Sequence, residues 1–236
     1  LQKRLWAAER PIAILGGSRW SEKAVRQFAR FAEKFDLPVA CTFRRQSLFD
    51  HLDPRYAGLL GFGTDPALVE RVKAADLVLL VGTRLAEASS ESYTLLGLPQ
   101  PAQTLVHVHA DAAELGRVYR PDLAVNASGT AFAAAAESLE PPPGAIRWAA
   151  WTHAAHADYR AASDTVPRTP GPVDMGRVID ALRARLPEDA IIADGAGNCS
   201  AWNGRYWRYR RYATQAAPVS GTMGYGLPAA IAAGRP

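Results

Sequence analysis

Cysteine, methionine and long apolar runs are scarce in this chain. Its two cysteines, Cys41 and Cys199, stand too far apart for a CxxC redox pair or a zinc knuckle and are too few for a disulfide scaffold. A reducing compartment, the cytoplasm, is the expectation. Even the apolar stretch 74–81 is broken by Asp76, and no run approaches the ~20 residues that cross a bilayer, so no membrane partner is expected. The opening LQKRLWAAER has charges but no apolar core or small-residue cleavage site, which excludes a secretory signal within these residues. Charge of one sign is not in large excess: 27 basic against 23 acidic residues leave +4. Repeats are absent, and low complexity is confined to the alanines at 133–136.

What is present is globular: 48% hydrophobic and 21% charged residues. At roughly 150 residues per domain, the length of 236 is about one and a half domains. The sequence opens on Leu1 and stops shortly after the apolar run 227–233, so a piece of a longer protein is expected.

The run 11–15, PIAIL, ends at Gly16-Gly17-Ser18 and reads as a buried strand and a turn. Ser21 can cap a helix in which Ala24, Val25, Phe28, Phe31, Ala32 and Phe35 recur at spacings of three and four. Residues 38–42, 76–81, 104–109 and, more weakly, 123–126 give further strands, with helices over 65–75 and 130–139. Apolar strands alternating with helices predict a doubly wound α/β domain with a parallel sheet. Pro141-Pro142-Pro143-Gly144 closes it. A helix over 146–162 and a second linker, VPRTPGP, follow. The pattern then restarts: helix 174–186, strand 190–193, a glycine turn, a helical stretch through Trp202, and a glycine-punctuated segment into 227–233. The expected division is 1–145 as a middle domain, 146–172 as linker helix and linker, and 173–236 as the truncated start of a second α/β domain.

Chemistry concentrates at the ends of strands. Asp194-Gly195-Ala196-Gly197-Asn198 follows a strand and opens a helix, which suits an anion, although taken alone a mere tight turn is the plainer reading. His107 and His109 share one strand face, but no third ligand stands near them at metal-site spacing. Arg44-Arg45 could hold an anion, although a solvated pair in a loop is the plainer reading. WNGRYWRYRRY, 202–212, interleaves arginine with aromatics as single-stranded nucleic acid binders do. It sits between two glycine-rich segments, and a subunit contact, where arginine and aromatics are also enriched, is the favoured reading, so no nucleic acid partner is expected.

The run Ser220-Gly221-Thr222-Met223-Gly224-Tyr225-Gly226-Leu227-Pro228-Ala229-Ala230-Ile231, following the GAG turn, resembles the thiamine-diphosphate-dependent enzymes of the acetolactate synthase type. Upstream, Arg10-Pro11 into Ile14-Leu15-Gly16-Gly17, Leu37-Pro38-Val39, the stretch from Ala75-Asp76 to Gly82-Thr83-Arg84, and Val106-His107-Val108-His109 are similar to that family's Rossmann-like middle domain. The resemblance implies that Met223 is the apolar wedge under the bent cofactor. It also implies that Gly221, Thr222 and Met223 hold the pyrimidine, and that Ala196, Gly197, Asn198 and Cys199 line the diphosphate. Asn198-Cys199 stand where the family often has Gln-His. The glutamate that activates the cofactor and the residues that hold Mg2+ are expected outside these residues, so there is no metal site here and the fragment alone should be inactive.

By the same resemblance, the middle domain carries FAD or ADP in some relatives and nothing in others. The matching positions are Gly16, Gly17, Thr42, Arg44, Gly82, Arg84 and Asp111. His109 stands where flavin-binding relatives place an acid, and a scaffold-only domain is the leading expectation. For the parent protein the resemblance implies decarboxylation of a 2-oxo acid and transfer of the remainder to an acceptor, in a homodimer or homotetramer. The alternative is a nucleotide-binding or purely structural oligomerisation module without chemistry of its own.

Overall fold

Buried on both faces, the run Pro11–Leu15 forms β1, one of the two central strands of a sheet that grows outward from it. A computed structural model describes residues 1–234. A short helix α1 (Gln2–Ala7) precedes β1, and α2 (Glu22–Lys34) follows it, capped by Ser21, whose Oγ accepts from the Ala24 amide at 3.2 Å. Next come β2 (Val39–Thr42), β3 (Tyr56–Leu60), α3 (Pro66–Ala74), β4 (Leu77–Val81), β5 (Thr104–His109), β6 (Leu123–Asn126) and α4 (Gly129–Ala136). All six strands run parallel in the order β3-β2-β1-β4-β5-β6. That order reverses direction between β1 and β4, the switch point at which ligands of doubly wound sheets bind.

Alternate residues of each strand feed opposite layers. Ala13 and Leu15, with Leu79, Val81, Val106 and Val108, meet Phe28, Phe31 and Phe35 of α2 and Phe132 of α4. Ile12 and Ile14, with Val78, Leu80 and Leu105, meet Leu68 and Val72 of α3 and, on α5 (Ala149–Ser163), Ala155. Two indoles hold α5 in place: Trp151 Nε1 donates to the Pro11 carbonyl of β1 at 2.9 Å, and at the start of the helix Trp148 Nε1 donates to the Phe35 carbonyl at the end of α2 at 2.9 Å.

The expected architecture holds, with one strand added. Residues 56–60 pair with β2 as an outer strand, so 76–81 supplies the fourth strand of the sheet and not the third. Gly58 at φ +121° and a register shift at Val39/Ala40 interrupt the regular pattern there.

Beyond α5 the chain forms α6 (Met175–Arg185), β7 (Ile192–Ala193), α7 (Asn198–Tyr206), β8 (Gln215–Ala216) and α8 (Gly226–Ala233). β7 and β8 pair in parallel as a separate two-stranded sheet.

Candidate functional site

Two turns leave the carboxyl ends of the adjacent strands β7 and β8. The Asp194 amide donates to the Ala216 carbonyl at 2.7 Å, which sets the ends of the strands level. Asp194-Gly195-Ala196-Gly197 then opens α7, and residues 217–225 open α8. The turns meet at Gly226, where a Cβ would stand 3.2 Å from the Gly195 amide nitrogen and 3.4 Å from the Asp194 carbonyl carbon. Both helices therefore start from one place, with free amides and partial positive charge directed to the space above the strands. Asp194 is 3% exposed; its carboxylate accepts from Asn203 Nδ2 at 2.7 Å and Gln215 Nε2 at 3.4 Å. Burial pushes its pKa up, while those two bonds and the charge of Arg44 oppose the rise. Asp194 thus ties the GAG turn to α7 and β8.

The residues assigned by sequence lie along these turns. Ala196 is half-buried; Gly197, Asn198, Cys199, Gly221, Thr222 and Met223 are exposed. Met223 is 81% exposed, which removes the reading as an ordinary core methionine. Gly221 and Gly224 have φ of +75° and +80°, and a Cβ on either would meet nothing within 4 Å. Ser220 Oγ and Thr222 Oγ1 lie 2.7 Å apart across this loop.

At the switch point, Gly17, Thr42, Arg44, Gly82, Arg84 and Asp111 line one open cavity of about 660 Å³. Gly16 stands behind the wall, where its Cβ would meet Thr42 Oγ1 at 2.1 Å. Gly17, at φ +71°, lets the β1 turn touch the β4 turn: a Cβ there would sit 1.7 Å from the Gly82 carbonyl oxygen. Asp111 already caps the next turn, its Oδ1 accepting from the Ala113 amide at 3.0 Å, and its amide donates to His109 Nδ1 at 3.1 Å. His107 Nε2 is within 2.9 Å of the Thr83 carbonyl, and no group of three or more His, Cys, Asp or Glu suited to a metal ion occurs among the described residues.

One reading of the arginines needs correction. Arg44-Arg45 is not a solvated pair: Arg45 Nε donates to the Gly17 carbonyl at 2.6 Å, and Arg44, at φ +63°, lies 4.6 Å over the Phe43 ring with its Nε buried and unpartnered. Burial lowers the Arg44 pKa, and the charge of Asp194 counters it. Nor do the arginines of 202–212 form a free basic surface. Arg205 pairs with Asp65 at 3.3 Å, Arg210 with Asp50 at 2.9 Å, Arg208 with Asp164 and Arg211 with Glu188. Between them Tyr209 is buried and its carbonyl accepts from the His51 amide at 2.9 Å. The segment is a dock between the second unit and the first.

Sequence reasoning missed Arg19 and Val219, which also line the switch-point cavity. Arg19 directly follows Gly-Gly-Ser, a signal that was available. Val219 had none: it belongs to the loop before Ser220 and reaches the cavity only through the docking of the two units.

A doubly wound domain with a cavity at its switch point, docked to paired strand-end turns rich in glycine, defines the architecture as α/β with a parallel six-stranded sheet. Residues 1–135 match the family described as "Thiamine pyrophosphate enzyme, central domain", and the chain belongs to that family. It is 30% identical over 234 residues to the acetolactate synthase isozyme 1 large subunit of Escherichia coli (strain K12), covering 96% of this chain and 39% of that protein. It is 28% identical over 227 residues to the acetolactate synthase large subunit of Parasynechococcus marenigrum (strain WH8102), covering 96% and 36%. Sulfoacetaldehyde acetyltransferase of Alcaligenes xylosoxydans xylosoxydans is 26% identical over 258 residues, covering 97% and 42%. The chain spans roughly two fifths of the length of these relatives.

Proposed function

We propose that the protein carrying this chain is a thiamine-diphosphate-dependent enzyme that decarboxylates a 2-oxo acid and transfers the remainder to an acceptor, as an acetolactate-synthase-like carboligase. The observation that carries this reading is the meeting of the GAG turn and the Ser220-to-Ile231 motif at the carboxyl ends of adjacent parallel strands. The residues present fit the cofactor. Gly221 and Gly224 leave open space where any side chain would stand, and two helix N-termini offer amides to a diphosphate. Bound there, thiamine diphosphate would serve as the electron sink for loss of carbon dioxide.

The chain's own part is to hold and shape. Ala196, Gly197, Asn198 and Cys199 would receive the diphosphate, and Gly221, Thr222 and Met223 the pyrimidine. The Met223 thioether, unbranched and polarizable, would back the cofactor rings by shape and not by charge. Asp194, fixed by Asn203 and Gln215, would keep the first turn in register with the second. Mg2+ and the activating glutamate would be supplied by residues other than these. The proposed division is a middle domain at 1–145, a linker at 146–172 that includes α5, and the opening of the cofactor domain at 173–236, within a cytoplasmic homo-oligomer.

A second reading concerns the middle domain alone, and the cavity of about 660 Å³ favours it. A nucleotide such as FAD or ADP would lie across the β1 and β4 turns, with Arg44 and Arg84 near its phosphates.

The test is turnover of 2-oxo acids by the intact protein with thiamine diphosphate and Mg2+, read as carbon dioxide released and carboligation product formed. Wild type should turn over at least one such acid, and Met223→Ala should lower kcat by about 10- to 100-fold, the cost of a mispositioned reacting group. Turnover unaffected by Met223→Ala would contradict the role given to that side chain. No turnover of any 2-oxo acid would contradict the activity.

A further inference from the structure

Just past the end of α6, Leu186, Pro187 and Glu188 stand across from Trp207, Arg208 and Arg210. A second cavity, of about 230 Å³, opens there. Three arginines, Arg183, Arg208 and Arg210, line it against one carboxylate, Glu188. The arginines are not equally neutralised. Arg208 has Asp164, although its buried Nε finds no acceptor. Arg210 has Asp50 at 2.9 Å and Glu188 at 3.7 Å. Arg183 has no ion pair among the described residues: its one bond is a long one, 3.4 Å, to the Ser163 carbonyl. It is half-buried, and burial and then the like charge of Arg208 lower its pKa, against the opposing influence of Tyr159 and of the more distant carboxylates of Asp180 and Asp164. Two guanidinium groups held side by side with one of them unpaired are costly in a partly desolvated site unless an anion is shared between them. Leu52, Leu186 and Trp207 form the apolar part of the wall.

We propose that this cavity is a binding site for a small phosphate-bearing anion, held by Arg183 and Arg208 and flanked by Arg210. The chemistry favours phosphate over carboxylate. A phosphate carries about −1.5 to −2 charge and several acceptor oxygens, so it can take planar guanidinium forks from more than one side, whereas a carboxylate carries a single charge. The volume leaves room for a phosphate and a few carbon atoms, which the leucines and Trp207 would cover. The site is separate from the switch-point cavity and shares no lining residue with it. Because its walls come from Leu52 of the first unit and from α6 and 207–210 of the second, a bound anion would also bridge the two.

The experiment is a calorimetric titration of the intact protein, already saturated with thiamine diphosphate and Mg2+, with inorganic phosphate at constant ionic strength. The expected result is saturable binding that Arg183→Gln weakens by about tenfold or more and Arg84→Gln leaves unchanged, with acetate at least about tenfold weaker than phosphate. Leu186→Glu, at a 39% exposed position on the rim, removes none of the bonds described here and should weaken phosphate similarly by like-charge repulsion, so the test survives even if Arg183→Gln fails to fold. Absence of saturable binding would overturn the proposal. So would loss on Arg84→Gln with Arg183→Gln unaffected, which would move the anion to the switch point. Equal affinity for acetate would overturn the choice of phosphate.

Discussion

His51 is stacked on Tyr56 with ring centroids 4.0 Å apart at 12°, edge-on to Tyr159 and Tyr209. Its Nε2 lies 3.2 Å from the Gln46 carbonyl. Burial pushes its pKa down to about 3, against the backbone hydrogen bonds. The unfolded chain takes up a proton near pH 6.5 that the folded chain refuses until about pH 3, so folding weakens as pH falls through that window, by up to about 1.4 kcal/mol per pH unit. Urea unfolding at pH 6.5 and 5.0 should show about 2 kcal/mol lost through this one group, and His51→Asn should flatten the slope. An unchanged slope in the variant would place the acid sensitivity elsewhere. Gly17 is a second residue whose role is local and severe. Any Cβ would strike the Gly82 carbonyl, so Gly17→Ala should lower stability by about 2 kcal/mol or more, read as a fall in Tm.

Among the elements, α2 was plain in the sequence because its phenylalanines recur at the helical period, and the structure buries that stripe. Ser21→Ala should cost about 1 kcal/mol, the usual worth of a lost N-cap, in a denaturant titration. β1 and β4 were plain because strands covered on both faces are apolar throughout. β3 escaped notice: Tyr-Ala-Gly-Leu-Leu neither alternates nor avoids glycine, and its place depends on pairing with β2. α1, six residues long, left too short a pattern to read. The positions at strand ends, Gly17, Thr42, Gly82 and Arg84, could be placed around one cavity from topology alone, since doubly wound sheets bring those ends together. Val219 and the carboxylates paired with Arg205 and Arg208 could not, because those contacts join residues more than 40 positions apart in the sequence.

Across the whole molecule, docking rests on buried aromatics more than on charge. The ion pairs of Arg205 and Arg210 across the dock are partly exposed and should each contribute about 1 kcal/mol or less. Tyr209→Ala, which removes a side chain 1% exposed, should cost about 3 kcal/mol or more. Hydrogen exchange should then rise over 174–234 well before it rises in the six-stranded sheet, whereas Arg210→Ala should leave both nearly unchanged.

Docking brings Val219, in the loop before the second glycine turn, to the switch-point cavity. The measurement that tests this account most directly is calorimetric titration of the intact protein with thiamine diphosphate in the presence of Mg2+, for wild type, Gly221→Val and Met223→Ala. Saturable binding by wild type, abolished by Gly221→Val and retained by Met223→Ala, is the predicted result. Binding that survives Gly221→Val unchanged, or no binding by wild type, would contradict the assignment of these turns to the cofactor.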